Sequence, residues 1–403
     1  MAQRPDRTDI LIAGAGPVGL MAAARLRQLG LTVRVLEMAP VPVQDLRAST
    51  FHPATLDMLA QLGLADRLIG QGLKAPEYQY RVRATDEVFS FDLTEIADVT
   101  AFPFRLQCEQ YKLTNELKTV LEDDDGCDIR FRRRVLGFRQ SRDGVEVHAE
   151  APFDIERHHA DFLIAADGGN SVIRKWLDIE FDGFTYPEKF LSMSTLEPLE
   201  DYFPRLCCVN YISDPEEWLV LLRAPSAWRV LVPAPDHVDD AELTSDASKV
   251  ALFDRLIGKG AATRTMHRTV YRVHQRVAKR YFVDRVVLAG DAAHLNNPLG
   301  GLGMNSGIHD IWNLVPRLRR ILRSGADAAE ELGQYERQRR HTMTSFIQNQ
   351  TIRNKEMIEA KAVDAQQHHQ ALMRAIYTDP ERRRAFMIRQ SMIESLQQEA
   401  RVG

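Results

Sequence analysis

The sequence predicts an α/β fold, with a discontinuous Rossmann-like domain, an inserted antiparallel-β domain and C-terminal helices. Apolar strands that end in glycine or acidic residues occur at three distant places, 9–14, 161–168 and 286–291. Such unbroken apolar runs are typical of buried parallel strands. Residues 180–280 instead contain short strand-like runs separated by prolines, and from about residue 305 the chain has a helical pattern. One contiguous nucleotide-binding domain does not produce this order.

The composition is that of a globular protein, and it excludes several functional classes. Hydrophobic residues make up 44% and charged residues 27% of the chain, which argues against collagen-like and largely disordered proteins. The net charge of −4 gives no reason to expect a nucleic acid partner. Four cysteines and a charged N-terminus lead us to expect a cytoplasmic protein. No apolar run approaches the roughly 20 residues that span a bilayer, so we expect no membrane span.

The first elements form a βαβ unit. Residues 9–13 are a short apolar strand, a glycine-rich turn follows, and residues 21–29 have the apolar spacing of a helix that ends at Gly30. Residues 32–36 form the second strand, which ends at Glu37. Two apolar strands joined by one helix indicate a parallel pair in a buried sheet.

The next elements are less regular. We predict a helix over 53–62, exposed antiparallel strands within 76–92, a helix over 111–121, and strands at 129–131, 144–148 and 161–166. In the C-terminal helical region we expect interruptions near Pro316, Gly325, Gly333 and Pro380. An apolar stripe with near-helical spacing follows, and it comprises Met387, Ile388, Met392, Ile393 and Leu396. We expect this stripe to pack on the nucleotide domain, and a homodimer contact is the alternative.

The turn after the first strand has the pattern G-x-G-x-x-G in the strand-to-helix context that dinucleotide binding requires. Gly14 permits the tight turn, Gly16 permits close approach of a pyrophosphate, and Gly19 permits the helix to lie on the strand. The helix N-terminus adds unpaired N–H groups for the phosphates. Glu37 is placed to accept hydrogen bonds from ribose hydroxyls. The alternative is a turn without a ligand, and the pattern does not distinguish FAD from NAD.

Two later strand ends carry similar patterns. Asp167 and Gly168 follow the strand at 161–166, where the alternative is a helix capped by an Asp or Ser side chain. Gly290 and Asp291 follow the strand at 286–289, and a carboxylate there suits a ribose or ribityl hydroxyl. The glycine-rich stretch that follows leads into a helix whose N-terminus suits an electron-rich ring edge, although it could be a plain loop before a helix.

The three motifs in this order resemble those of the flavin-dependent aromatic hydroxylases of the p-hydroxybenzoate hydroxylase type, the class A flavoprotein monooxygenases. The resemblance extends from Asp9 to about Leu318, and it is weak within 180–280. It implies that FAD is the cofactor. It assigns the ADP half of FAD to Gly14, Gly16, Gly19 and Glu37, the pyrophosphate and NAD(P)H docking to Asp167 and Gly168, and the ribityl chain to Gly290 and Asp291.

The same resemblance implies further flavin contacts. Pro298 and the backbone of Gly303, Met304 and Asn305 are expected beside the isoalloxazine. Arg47 matches an arginine that reaches FAD phosphate, and Gln110 matches a glutamine that opens a helix and contacts the flavin linker. A surface arginine and an ordinary helix-start glutamine are the alternatives. Leu302 departs from the family, in which many members carry a polar residue there.

The resemblance implies a domain division and a reaction. The FAD-binding domain would comprise 1–75, 101–178 and 276–345, the substrate domain 76–100 and 179–275, and the C-terminal helical segment 346–403. The enzyme would use NAD(P)H, as a transient reductant, and O2 to hydroxylate a small phenolic or heteroaromatic substrate through a flavin C4a-hydroperoxide. Tyr211 and Arg223 are candidate substrate contacts, with packing or surface roles as alternatives. Few catalytic side chains are expected and none is assigned, since the cofactor carries the chemistry.

Other functions remain open at this stage. The same scaffold could support halogenation, epoxidation or N-hydroxylation, because fold does not determine reaction. A non-monooxygenase FAD oxidoreductase of the disulfide reductase type would need a second G-x-G-x-x-G and a redox cysteine pair, and the sequence has neither. A nicotinamide-only dehydrogenase would leave the motif at Gly290 unexplained. A non-catalytic flavin-binding protein is a further alternative. His294 is expected to be structural, and we predict no metal site.

Overall fold

The computed structural model describes residues 7–44, 48–214, 217–359 and 363–403. Arg47, the predicted phosphate contact, lies outside the described residues. Within these ranges the strands, in chain order, are β1 (Arg7–Ala13), β2 (Val33–Glu37), β3 (Thr50–Phe51), β4 (Leu73–Ala75), β5 (Glu77–Val82), β6 (Glu87–Asp92), β7 (Arg105–Gln107), β8 (Cys127–Phe131), β9 (Arg134–Ser141), β10 (Gly144–Glu150), β11 (Ile155–Ala165), β12 (Phe181–Thr195), β13 (Val209–Ser213), β14 (Leu219–Arg223), β15 (Trp228–Ala234), β16 (Thr265–Ala278), β17 (Phe282–Val283), β18 (Val286–Leu288) and β19 (His294–Leu295).

The α-helices of the same ranges are α1 (Pro17–Gln28), α2 (Pro53–Ala60), α3 (Ala65–Ile69), α4 (Gln110–Glu122), α5 (Val172–Trp176), α6 (Asp240–Leu243), α7 (Asp246–Ile257), α8 (Gly303–Ser324), α9 (Ala328–His341), α10 (Gln348–Glu359), α11 (Val363–Thr378), α12 (Pro380–Gln390) and α13 (Ile393–Glu399). Short 3-10 turns lie at Leu93–Ile96, Leu199–Asp201 and Gly290–Ala292, and a π-helical segment at Thr342–Ile347 joins α9 to α10. No helix among the described residues combines the length and the apolar character that crossing a bilayer requires.

The first sheet is the predicted parallel one. Its strand order is β17-β18-β11-β1-β2-β8, and β18, β11, β1, β2 and β8 run parallel. One register row crosses it through Val35, Ile12, Ile164 and Val287, all fully buried. Because parallel strands share one carboxyl edge, the residues that follow β1, β2, β11 and β18 meet there. The predicted strands at 9–13, 161–166 and 286–289, which are far apart in the sequence, therefore belong to one sheet.

A second sheet, mostly antiparallel and also of eight strands, has the order β19-β16-β12-β15-β14-β13-β5-β6. It contains the predicted strands of the 180–280 region together with the β5–β6 hairpin. The expectation that this hairpin is exposed is wrong, since Tyr78 and Phe91 are fully buried. Their rings stack at 5.2 Å, and Phe386 of α12 lies 5.0 Å from Phe91. The alternating apolar residues do form strands as predicted, but C-terminal helices that are distant in the sequence cover one face of this hairpin.

Two predicted helix interruptions are also wrong. Pro316 lies inside α8, and Gly333 lies inside α9. On α8, Leu314, Val315 and Leu318 are fully buried, so packing holds the helix together despite the missing proline N–H. The other two predictions are confirmed, because Gly325 ends α8 with φ 67° and Pro380 begins α12.

The C-terminal apolar stripe contacts both sheets. Met387 and Ile388 join the aromatic core under the antiparallel sheet, while Met392 and Leu396 join the core of the parallel sheet. The expectation that the stripe packs on the nucleotide domain is therefore correct for only part of it. These helices connect the two sheets across a large sequence separation.

A buried ionic network fastens the carboxyl edge of the parallel sheet. Asp310 of α8 accepts hydrogen bonds from the Gly290 backbone N–H at 2.8 Å and from Arg339 Nε at 2.6 Å, and it pairs with His294 at 2.7 Å. Arg339 also pairs with Glu399 of α13. Burial alone would raise the pKa of Asp310, but His294 and Arg339 outweigh it and hold that pKa at about 2. The network ties α13 to the turn at Gly290.

We predict that Arg339→Met lowers the free energy of unfolding by about 3–5 kcal/mol, because it leaves two carboxylates buried without their cation. Denaturant unfolding followed by circular dichroism measures this change. Arg320→Met is the matched control, since Arg320 pairs with Glu331 at a half-exposed position and its loss should cost about 0–1 kcal/mol. Equal effects of the two substitutions would contradict the importance assigned to the buried network.

Candidate active site

The glycine turn after β1 is held by very close backbone packing. Gly14 has φ 103°, and a Cβ there would lie 2.4 Å from the Ala166 carbonyl oxygen. A Cβ on Gly19, in the first turn of α1, would lie 2.0 Å from the Gly14 carbonyl oxygen. A Cβ on Gly16 would meet nothing within 4 Å. Two of the glycines therefore serve packing, and the third borders open space at the helix N-terminus.

Glu37 lies at the end of β2 beside this turn. Its Oε2 accepts a hydrogen bond from the Ala15 N–H at 2.7 Å, and its Oε1 accepts one from the Ala39 N–H at 2.8 Å. The carboxylate is thus fixed by backbone donors at both oxygens. Each oxygen of an ionised carboxylate accepts two hydrogen bonds, so the group retains capacity for ligand hydroxyls.

Asp167 directly contacts the first motif, since a Cβ on Gly14 would lie 3.3 Å from the Asp167 Cα. One oxygen, Oδ2, accepts from the Val172 N–H at 3.0 Å and the Ile173 N–H at 3.4 Å, which is the capping role noted as the alternative. The other, Oδ1, is buried without a partner in the structure. Burial raises the pKa of Asp167. Gly168 follows with φ 82°.

The third motif also contacts the first. A Cβ on Gly290, which has φ 61°, would lie 2.9 Å from Val18 Cγ2, and one on Gly307 of α8 would lie 2.5 Å from the same atom. Val18 of α1 is therefore held between the Gly290 turn and α8. The Asp291 side chain is exposed at this edge. All three motifs meet at one place, as their positions after parallel strands predict.

The loop from Pro298 to α8 is shaped by Asn305. Its Nδ2 donates to the Thr50 carbonyl at 2.9 Å and to the Gly301 carbonyl at 2.7 Å, and its Oδ1 accepts from the His52 N–H at 3.1 Å. The Asn305 side chain is therefore occupied by the fold, and its backbone remains as the predicted contact. Pro298 is exposed, and Gly303 and Met304 form the first residues of α8.

Gln110 begins α4, as predicted, and its backbone N–H donates to the Ala48 carbonyl at 3.0 Å. The two candidate substrate contacts lie on the paired strands β13 and β14. Tyr211 is buried, and its ring stacks on Tyr80 at 5.0 Å. Arg223 is half-buried; it donates to the Ala224 carbonyl at 3.3 Å and lies 5.9 Å from the Trp228 ring.

Sequence reasoning missed Arg105, which lies beside Tyr211. Its Nη1 donates to the Tyr211 hydroxyl at 3.3 Å, and it is only 1% exposed. The sequence did contain a signal, because Arg105 interrupts the mostly apolar stretch 101–108. A charged side chain is rarely fully buried unless it is paired. In the ranges that the structure covers, no three His, Cys, Asp or Glu side chains gather as a metal ion would require.

Comparison with known proteins identifies the family. The family model described as an FAD binding domain matches residues 7–350, most of the chain. The chain belongs to this FAD binding domain family. It is 30% identical over 344 residues to the para-nitrophenol 4-monooxygenase of Pseudomonas sp. (strain WBC-3), covering 84% of each chain.

Two further comparisons agree with the family assignment. The 6-hydroxy-3-succinoylpyridine 3-monooxygenase of Pseudomonas putida (strain DSM 28022 / S16) is 29% identical over 84% of this chain and 86% of its own. The crystal structure of p-nitrophenol 4-monooxygenase from Pseudomonas putida DLL-E4 gives a TM-score of 0.90 at 26% identity, covering 97% of this chain and 98% of that one. The predicted fold class and the resemblance to aromatic hydroxylases are confirmed, and the protein is an FAD-dependent oxidoreductase.

The residues at the carboxyl edge fit FAD. The first turn of α1 has no side-chain cap, so its N–H groups are available for phosphate, and Gly16 leaves the space that a pyrophosphate needs. The buried Asp167 Oδ1 lacks a protein partner at the same edge. Asp291 is exposed beyond the Gly290 turn, where a polyhydroxyl chain could reach it.

We predict that Gly16→Ala and Gly19→Ala separate cofactor binding from folding. Gly16→Ala should change the free energy of unfolding of the apoprotein by less than about 1 kcal/mol. It should weaken FAD binding by about tenfold or more, since its methyl group enters the pyrophosphate space. Gly19→Ala should lower the free energy of unfolding by about 1–3 kcal/mol through overpacking against Gly14. Denaturant unfolding and FAD titration measure the two effects, and unchanged FAD affinity in Gly16→Ala would contradict the assignment.

Proposed function

We propose that this enzyme uses NAD(P)H and O2 to hydroxylate a small phenolic or heteroaromatic substrate beside FAD. The observation that carries the proposal is the meeting of the three motifs at one sheet edge, with the loop 298–305 between that edge and the aromatic residues of the second sheet. When bound, FAD would accept a hydride from NAD(P)H and then activate O2 for transfer of one oxygen atom. The monooxygenases named above support this reaction class.

In this proposal, different residues bind different parts of FAD. Gly14, Gly16 and Gly19 bring the backbone of α1 to the pyrophosphate, and Glu37 accepts hydrogen bonds from the ribose. Asp167 and Gly168 support the pyrophosphate and the docking of NAD(P)H. Asp291 accepts hydrogen bonds from the ribityl hydroxyls. Gln110 contacts the flavin linker, and Pro298 with the backbone of residues 303–305 borders the isoalloxazine.

The remaining task of the chain is to hold the substrate and exclude water. The antiparallel sheet places the buried rings of Tyr78 and Tyr211 against Arg105, and Tyr80 stacks on Tyr211. An aromatic face of this kind packs against a planar ring and keeps water from the reacting atoms. NAD(P)H binds only transiently in this proposal, because the sequence carries one G-x-G-x-x-G motif and no second one.

The ribityl assignment predicts that Asp291→Ala weakens FAD binding by about tenfold or more, the loss of a charge-assisted hydrogen bond. Fluorescence titration of the apoprotein with FAD measures it. Asp125→Ala is the matched control: Asp125 is exposed in the loop before β8, at the opposite, amino edge of the sheet. Equal FAD affinities for the two variants would remove Asp291 from the cofactor site.

The reaction is tested directly with the purified protein. It should be yellow, with absorption near about 450 nm from the bound flavin. Among a panel of phenols and hydroxypyridines, some members should stimulate NAD(P)H consumption, and product mass should show one atom from isotopically labelled O2. A protein that binds FAD but oxidises NAD(P)H at the same rate with every aromatic compound would contradict the proposal. Halide incorporation, an epoxide product or oxygen on nitrogen would move it to an alternative reaction of the same scaffold.

A further inference from the structure

Arg105 is a buried cation without a counter-ion. It lies on β7 and is 1% exposed, and it makes no salt bridge within the residues that the structure describes. Its guanidinium carbon lies 4.1 Å from the centre of the Tyr78 ring, and its Nη1 donates to Tyr211. A neutral ring and a neutral hydroxyl compensate only part of the cost of burying a full charge. The site therefore calls for an anionic partner that the described residues do not supply.

The unpartnered atoms of Arg105 specify the shape of that partner. Nη1 is used by Tyr211, whereas Nε and Nη2 are buried with no hydrogen-bond acceptor among the described residues. Nε–H and one Nη2–H point from the same edge of the planar guanidinium, so they form a two-pronged donor. This fork matches two oxygens held in one plane, as in a carboxylate.

The surroundings of the fork supply donors. Gln107, two residues along β7 and thus on the same face, has a buried Nε2 without a partner. The hydroxyls of Tyr78 and Tyr80 are likewise buried without partners. Burial raises the pKa of both tyrosines, so they keep their hydrogens and can donate.

The neighbouring His52 adds no second positive charge. Burial, together with the charge of Arg105, lowers the pKa of His52 to about 3, so its ring is neutral at physiological pH. Its Nε2 is 2.7 Å from the Gly300 carbonyl oxygen, and it is therefore engaged with the loop. The positive charge of Arg105 thus remains for a ligand.

The fork lies next to the loop expected to border the flavin. Gln107 accepts a hydrogen bond from the Thr50 hydroxyl at 3.1 Å, and Asn305 donates to the Thr50 carbonyl. His52, near Arg105, contacts Gly300. The cluster therefore contacts both the loop 298–305 and the tyrosine face.

We propose that Arg105 binds a planar, negatively charged two-oxygen substituent of the aromatic substrate, with Nε and Nη2 each donating to one oxygen. A ring carboxylate and the nitro group of a nitrophenolate share this chemistry. The inference rests on the proposed function, because it concerns the substrate of the same site. It makes Arg105 the residue that selects acidic aromatic substrates over neutral ones.

Binding to the FAD-loaded wild-type protein tests the selectivity without any substitution. The probes are two matched pairs, 4-hydroxybenzoate with 4-hydroxybenzamide, and 4-nitrophenolate with 4-nitroanisole. The change in flavin absorption and, independently, calorimetry give the dissociation constants. We expect the charged member of at least one pair to bind about 10- to 100-fold more tightly, as one charge-assisted fork contributes. The pair that shows the preference distinguishes a carboxylate from a nitrophenolate.

Arg105→Gln should abolish this preference. It should weaken binding of the preferred anion by about 10- to 100-fold and that of its neutral partner by less than about threefold, with FAD affinity unchanged. Arg105→Lys should be intermediate, since a point charge cannot form the fork. Arg81→Gln is the control: it removes an arginine on β5 whose side chain donates to the Pro204 carbonyl instead, and it should leave both affinities unchanged.

Four results would overturn the proposal. Equal binding of charged and neutral probes by the wild type rejects it even if Arg105→Gln does not fold. Loss of FAD affinity in Arg105→Gln assigns the arginine to the cofactor instead. Aromatic-stimulated NAD(P)H consumption with no preference for anions rejects the role of Arg105 and leaves the proposed function standing, whereas no response to any aromatic compound rejects both.

Discussion

The structure depends on the close approach of three backbone segments at the carboxyl edge of the parallel sheet. Gly14 lies against the Ala166 carbonyl, and Val18 fills the gap between Gly290 and Gly307. Side chains at these glycines would push α1 away from β11 and α8, and the strand ends would no longer share one space. Because each segment comes from a different part of the chain, the cofactor site exists only once the sheet is complete. The edge proposed to bind FAD therefore forms only when these packing contacts form.

The C-terminal helices extend this coupling to the substrate side. Glu399 and Asp310 share the guanidinium of Arg339, and Asp310 in turn fixes the Gly290 turn. On the other sheet, Phe386 packs against the aromatic face that includes Tyr80. One run of helices thus contacts both the carboxyl edge of the parallel sheet and the tyrosine-bearing face of the antiparallel sheet. Its loss would loosen both at once, although most of it lies outside the three motifs.

The sequence predicted the features that depend on local residue spacing. It failed where packing between residues far apart in the sequence determines the structure. Strand ends, the glycine turn and Glu37 follow from short-range spacing, and the structure brings them together. The exposed hairpin at 76–92 was wrong because α12, about 300 residues away, covers it. The break at Pro316 was wrong because buried side chains on both sides hold α8. Arg105 carried no recognisable motif, since its significance lies in partners that no spacing reveals.

Buried polar groups with hydrogen-bond partners in the protein belong to the scaffold, whereas buried polar groups without such partners mark the candidate site. Asn305 uses both ends of its amide within the fold, and one oxygen of Asp167 caps α5, so these groups would be retained by a protein that bound nothing. The second oxygen of Asp167 and the fork of Arg105 have no such use. Leaving a carboxylate oxygen and two guanidinium donors buried without partners costs stability that packing alone does not require. The fork of Arg105 faces the aromatic sheet, where an acidic aromatic ring would return that stability on binding.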